Sequence, residues 1–121
     1  MIMIDTQPFD PVDFYRIAQK IFQESDKFDS SAARTCIGRA YYSAFLVARD
    51  RAKVTDQGKE THQAVIAYYK KKKPVVGNRL HTLREQRNDA DYNMARIVVQ
   101  QESGKALKLC AEILKHLGCV V

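Results

Sequence analysis

The chain has no long apolar run, no glycine-rich loop, no paired cysteines at C-x-x-C spacing, no internal repeat and hardly any alternating strand pattern. Each absence excludes something. No stretch approaches the 18 or more apolar residues that span a bilayer, and the opening MIMIDTQPFD lacks the basic start and apolar core of a secretory signal. The expectation is a cytoplasmic protein with no membrane partner. Without a glycine-rich turn there is no phosphate cradle of the nucleotide-fold type. The three cysteines, Cys36, Cys110 and Cys119, are odd in number, and Cys36 and Cys110 fall at apolar helix positions, so they read as reduced core thiols. His62, His81 and His116 have no metal-ligand spacing, and neither a metal nor another cofactor is expected.

What remains is a single domain over residues 1–121, with 45% apolar and 28% charged residues, long enough to bury a core without disulfide or metal support. The net charge of +6 is unevenly spread: residues 1–33 carry −3, 34–58 carry +3, 59–87 carry +6 and 88–121 are neutral. A basic middle of this kind attracts phosphates and steers polyanions, although a merely solvated basic face explains it equally well.

Five segments have helical periodicity. In FDPVDF, Asp10 can cap, Pro11 suits the first helical position, and Phe9 and Phe14 flank the cap as a hydrophobic staple would. That helix continues through Ile17, Ala18, Ile21 and Phe22 to about Glu24. The second opens at Asp29, Ser30 and Ser31 and reaches about Lys53. Ala33, Cys36, Ile37, Ala40, Ala44, Val47 and Ala48 lie on one of its sides, and Tyr42, Phe45 and Leu46 on the other. A helix apolar on two sides is either central or half of a dimer face. Mid-helical Gly38 points to a close backbone approach. The third segment, THQAVIAYYKKKK, stops at Pro74. Its Lys70, Lys71, Lys72 and Lys73 suit either the helix dipole or a phosphate-facing cluster beside Tyr68 and Tyr69. The fourth runs from about Asn78 to Tyr92. The fifth follows a polar interval, QQESGK, carries Ala106 to Leu117 and ends at Gly118. The fold class is all-α, an up-and-down antiparallel bundle of four to five helices.

The fourth segment poses a question. Leu80, Leu83, Arg87, Ala90 and Met94 share one stripe at 100° per residue, apolar except at its centre. A charge there is costly unless it is paired. Asp91 is four residues on and Arg84 about 60° round, so a pair with Asp91 is the simple explanation. Arg84, Arg87, Asn88, Asp91 and Tyr92 together also suit a phosphate or RNA site.

Two stretches resemble a known family. AARTCIGRAYYSAFLVARDRA is similar to the second helix of HEPN domains, with its R-A-Y-Y-x-A-F core, and LREQRNDADY resembles the helix that bears their signature. The resemblance implies a helical bundle that pairs as a symmetric homodimer, with the stripe as a seam opening on a composite basic cleft. It further implies a metal-independent endoribonuclease, in small bacterial members often a toxin paired with a nucleotidyltransferase antitoxin that modifies a tyrosine near the signature. Arg87 and Asn88 match the signature arginine and polar residue, with Arg87 facing phosphate, Asn88 and Asp91 orienting it, and Tyr92 donating to the reacting group. Tyr92 stands where the family has histidine. Cleavage without metal needs a base and an acid with pKa near 7, and tyrosine, near 10, is a poor base. His81 lies about 120° round from Arg87, and His62 has no place that the sequence can assign. Three readings follow: an endoribonuclease, a non-catalytic HEPN module that binds RNA or a nucleotide or partners a nucleotidyltransferase, and a helical adaptor without nucleic-acid chemistry. In the first two, Arg84, Arg87 and Lys70 to Lys73 bind phosphate.

Overall fold

The structure is a computed structural model that describes residues 8–54 and 60–121. Five helices form, α1 (Val12–Glu24), α2 (Ser30–Ala52), α3 (Thr61–Lys72), α4 (Pro74–Tyr92) and α5 (Gln100–His116), and the described residues include no strand. The helix starts follow local chemistry. Asp10 Oδ1 accepts from the Val12 N–H at 3.0 Å, and the Phe9 and Phe14 rings meet 4.8 Å apart across that cap. Asp29 caps α2 by accepting from Ala32 N–H at 3.0 Å. Lys53 ends α2 in the left-handed region, and Gly118 does the same after α5 with φ of 84°.

α2 is the central helix. Its small-residue side, from Ala33 and Cys36 to Ala48, is buried, with Cys36 against the Ala18 carbonyl of α1 and Ser43 and Ala44 against Cys110 of α5. Its aromatic side meets α3 and α4: Tyr41 and Phe45 stack with His62, the Tyr69 hydroxyl donates to the Ala48 carbonyl at 2.7 Å, and Tyr42 meets Arg87. Both sides are therefore covered within one chain, and the two-sided pattern needs no second copy. The same holds for the stripe on α4. Leu80, Leu83 and Ala90 are buried in the chain's own core, so they form no seam between subunits.

Several local expectations are corrected. Met94 is 76% exposed and lies beyond the end of α4, so it leaves the stripe. Ile17 is 51% exposed, because α2 and α5 cover only the side of α1 that carries Tyr15 and Ala18. α4 starts at Pro74 rather than near Asn78: proline both ends α3 and, lacking an N–H that needs a partner, begins the next helix. QQESGK is the first turn and a half of α5, not an interval. The Glu102 carboxylate reaches back to the Val99 N–H at 2.9 Å and secures that start, and the connection is residues 93–99 instead.

The close backbone approach is at Gly77 and not at Gly38. A Cβ on Gly77 would stand 2.4 Å from the Lys70 backbone nitrogen, whereas one on Gly38 would meet nothing nearer than Asp91 Oδ1 at 3.9 Å. Gly77→Ala is expected to lower stability by about 2 kcal/mol or more, because α3 and α4 must separate. Gly38→Ala is expected to raise it by up to about 1 kcal/mol through helix propensity. Urea denaturation of the two variants checks this, and the account of the α3–α4 contact fails if Gly77→Ala is neutral.

Candidate functional site

Arg34 of α2 holds the end of α4. Its guanidinium donates to the carbonyls of Ala90, Asn93 (3.0 Å) and Arg96, and its Nε to Ser30 Oγ at 3.1 Å. The Ala90 and Asn93 carbonyls close α4, where the last turn has no partner within the helix and carries the negative end of its dipole, and the Arg96 carbonyl belongs to the connection that follows. Arg96 pairs in turn with Asp89 and, at 2.6 Å, with Glu102, which closes the 93–99 connection onto α4 and α5. Hydrogen bonds from Asn93 and then Arg96 hold the Asp89 carboxyl below its ordinary pKa.

With the end of α4 fixed, Arg87 falls between α4 and the aromatic side of α2, its side chain 16% exposed. Nη1 donates to Asn88 Oδ1 and Nη2 to the Tyr42 hydroxyl, both at 3.1 Å. Nε lies 2.8 Å from Asp91 Oδ2, but its N–H does not point along that line, so the contact is an ion pair rather than a hydrogen bond. The guanidinium carbon is 5.9, 5.2 and 5.8 Å from the ring centres of Tyr41, Tyr42 and Tyr92. Each such contact contributes about 0.5–1 kcal/mol, more where water is excluded. An arginine can thus interrupt an apolar stripe because a carboxylate balances its charge and three rings replace its hydration.

Beside Arg87 a cavity of about 580 Å³ opens between α2 and α4. Ser31, Arg34, Thr35, Gly38, Arg39 and Tyr42 line it from α2, and Arg87, Ala90 and Asp91, with Met94 just beyond the helix, line it from the α4 side. The volume is in the range of small-ligand sites. Arg39 lies over the Phe14 and Tyr42 rings at its edge.

Of the residues singled out in the sequence, Arg87, Asn88 and Asp91 are brought together. Tyr92 does not line the cavity: it is 70% exposed, near Arg87 through its ring, and among the described residues its hydroxyl makes no hydrogen bond. Arg84 does not line the cavity. It lies near Tyr41 and His62, with its Nε buried and without a hydrogen-bond partner among the described residues. Lys70 to Lys73 are at the other end of the α3–α4 pair, roughly 20 Å along α4 from Arg87 at 1.5 Å per residue. They do not join the cavity. Lys73 donates instead to the His116 carbonyl at 2.6 Å, and Tyr69 is buried in the core. His81 pairs with Glu85 on an exposed face.

Arg34, Arg39 and Tyr42 are not among the site residues that the sequence singles out, and His62 is one it raises without a place. The first three had a readable signal: Ser31, Arg34, Thr35, Gly38, Arg39 and Tyr42 recur at three- and four-residue spacing, a small and polar stripe on an otherwise apolar helix. His62 had none, since only the packing of α3 on α2 brings it to Tyr41 and Phe45. Its Nδ1 is 2.5 Å from the Tyr41 hydroxyl, and its ring stacks on Phe45 at 4.0 Å. Burial, aided by the charges of Arg84 and Arg87, pushes the imidazole down to about 4, and burial raises the Tyr41 phenol. A neutral imidazole and a phenol that keeps its proton share one hydrogen bond at Nδ1, its direction set by the tautomer of the ring. Burial raises the thiols of Cys36 to about 11 and Cys110 to about 12, which leaves them poor nucleophiles at neutral pH. Among the described residues, no three His, Cys, Asp or Glu side chains gather as metal ligands would.

Two outcomes follow. The folded chain binds fewer protons at His62 than the unfolded chain between about pH 4 and 6.5, so this residue's contribution to stability is full above 6.5 and is lost as pH falls towards 4. An NMR titration of the ring should give a midpoint well below 6.5; a midpoint at 6.5 contradicts the burial. Arg34→Ala should cost on the order of 3 kcal/mol and speed amide exchange in residues 93–99, since three carbonyls lose a charged donor. Unchanged exchange would show that Arg34 does not hold this connection. Comparison of the chain with models of known families, with curated proteins and with solved structures returns no match.

Proposed function

We propose that the cavity between α2 and α4 binds a phosphate group of RNA or of a nucleotide, and that the chain is a HEPN-type helical module built around that site. The observation that carries this is the setting of Arg87: a guanidinium oriented by Asp91, Asn88 and Tyr42 at the wall of an open cavity whose other charged members include Arg34 and Arg39. A preorganised arginine loses little entropy on meeting an anion. The bundle, on this reading, is up-and-down and antiparallel, and the protein is cytoplasmic. Lys70 to Lys73, exposed at the far end, would add a second, non-specific contact with a long polyanion.

Binding without cleavage is favoured by the absence of any histidine from the cavity lining. His62 is behind Tyr41 with one nitrogen committed, and His81 pairs with Glu85. The second reading, a metal-independent endoribonuclease and toxin, is favoured by Tyr92, an exposed phenol whose ring lies beside Arg87 and which would protonate a leaving oxygen held there. In that case Arg87 stabilises the transition state and Arg84 adds positive potential behind it. Homodimerisation has support in three exposed apolar or aromatic residues within six positions, Tyr92, Met94 and Ile97, which a second copy would cover to complete a composite site. The exposed Tyr92 phenol is also reachable by a nucleotidyltransferase partner.

The test is incubation of mixed tRNA and mRNA in EDTA with the wild type, Arg87→Ala and Tyr92→Phe at equal folded concentration, alongside RNA binding at two salt concentrations. The expected result is binding that weakens with salt, falls tenfold or more in Arg87→Ala, and is unaccompanied by cleavage. Cleavage lost in both variants would establish the second reading. Absence of salt-sensitive binding would reject the phosphate site.

A further inference from the structure

Three guanidinium groups border the α2–α4 cavity, and two of them are committed. Arg34 is spent on the carbonyls of Ala90, Asn93 and Arg96. Arg87 has Asn88, Tyr42 and Asp91 as partners. Arg39 differs: its guanidinium carbon is 4.8 Å from the Phe14 ring centre and 5.4 Å from that of Tyr42, and among the described residues it makes no hydrogen bond or ion pair. Contact with ring faces holds the group in place without occupying its N–H donors, which remain available to an acceptor.

The charge balance of the cavity leads to the same residue. Asp91 offsets Arg87, and the carbonyl end of α4 offsets Arg34. The unbalanced positive charge is that of Arg39. Arg39 and Arg87 border the same ring, 5.4 and 5.2 Å from the Tyr42 centre, so an anion entering beside Tyr42 meets both. It meets Arg39 with free donors and Arg87 with donors already engaged.

We infer that Arg39 is the residue on which a phosphate ester docks in this cavity, with Arg87 the fixed cation against which the docked group is placed. The inference rests on the proposed reading of the cavity as a phosphate site and assigns the primary contact to α2 rather than to the arginine of α4. Arg39 binds here and has no part in bond making. The ligand chemistry is a phosphate ester with unpaired oxygens, and it can come from a free mononucleotide or from one phosphate of a single strand.

The experiment measures binding of adenosine 5′-monophosphate and of a short single-stranded RNA to the full chain by calorimetry at several salt concentrations. Arg39→Gln removes the charge and keeps an unbranched polar side chain, Arg39→Lys restores the charge, Arg87→Gln tests the underlying site, and Lys20→Gln on the exposed face of α1 is the control. Circular dichroism confirms equal folding. Arg39→Gln is expected to weaken binding about tenfold or more and to reduce the salt slope for RNA by about 0.7, one phosphate contact, a change that a purely structural role would not produce. Arg39→Lys should recover much of the loss, and Lys20→Gln should match the wild type. Loss with both probes identifies a site for an isolated phosphate ester, and loss with RNA alone identifies a phosphate within a strand; both support the assignment. Affinity and slope unchanged in Arg39→Gln but lost in Arg87→Gln overturn the role of Arg39 and leave the phosphate site standing. Binding that neither substitution alters, or wild type that binds neither probe, overturns both.

Discussion

The structure depends on α2 being buried along both of its long sides. A 23-residue helix enclosed in this way, by α1 and α5 against its small side chains and by α3 and α4 against its aromatic ones, presents only a narrow edge for polar work. That edge carries Ser31, Arg34, Thr35, Gly38, Arg39 and Tyr42. Whatever the chain does there is done by the side chains of that edge and by those reaching it from α4, because every other direction is occupied by core.

Burial also explains the division of labour among the arginines. Next to a dry core a guanidinium needs a stabilising contact, and the three at the cavity have different ones: Arg34 a helix end, Arg87 a carboxylate and three rings, Arg39 two rings that hold it without balancing its charge. The first arrangement is architectural, since it fixes where α4 stops. The second keeps a charge oriented. The third leaves hydrogen-bonding capacity unspent, and among the described residues it is where the cavity has most to offer an anion.

The histidines follow from the same enclosure. His62, drawn against Tyr41 and Phe45 by the packing of α3, is kept neutral by burial and by two nearby arginines, while His81 stays outside and pairs with Glu85. Neither lines the cavity. A catalytic reading must therefore rely on Tyr92, on the carboxylate of Asp91 or on groups from another molecule, and a binding reading needs none of these.

The sequence by itself determined the helical class, the caps at Asp10 and Asp29, the Phe9–Phe14 staple, the two apolar sides of α2 and the grouping of Arg87, Asn88 and Asp91. All of these rest on spacings of at most a few residues within or at the end of one helix, which backbone geometry converts directly into neighbours. Tertiary structure alone decided that the stripe of Leu80, Leu83 and Ala90 is spent inside the chain, that Met94 falls off it, that Lys70 to Lys73 lie far from Arg87, and that Tyr42, Arg39 and His62 gather near it. Periodicity says which side of a helix is apolar but not which helix covers it. A guanidinium or an imidazole acquires its role only from the neighbours that packing brings to it.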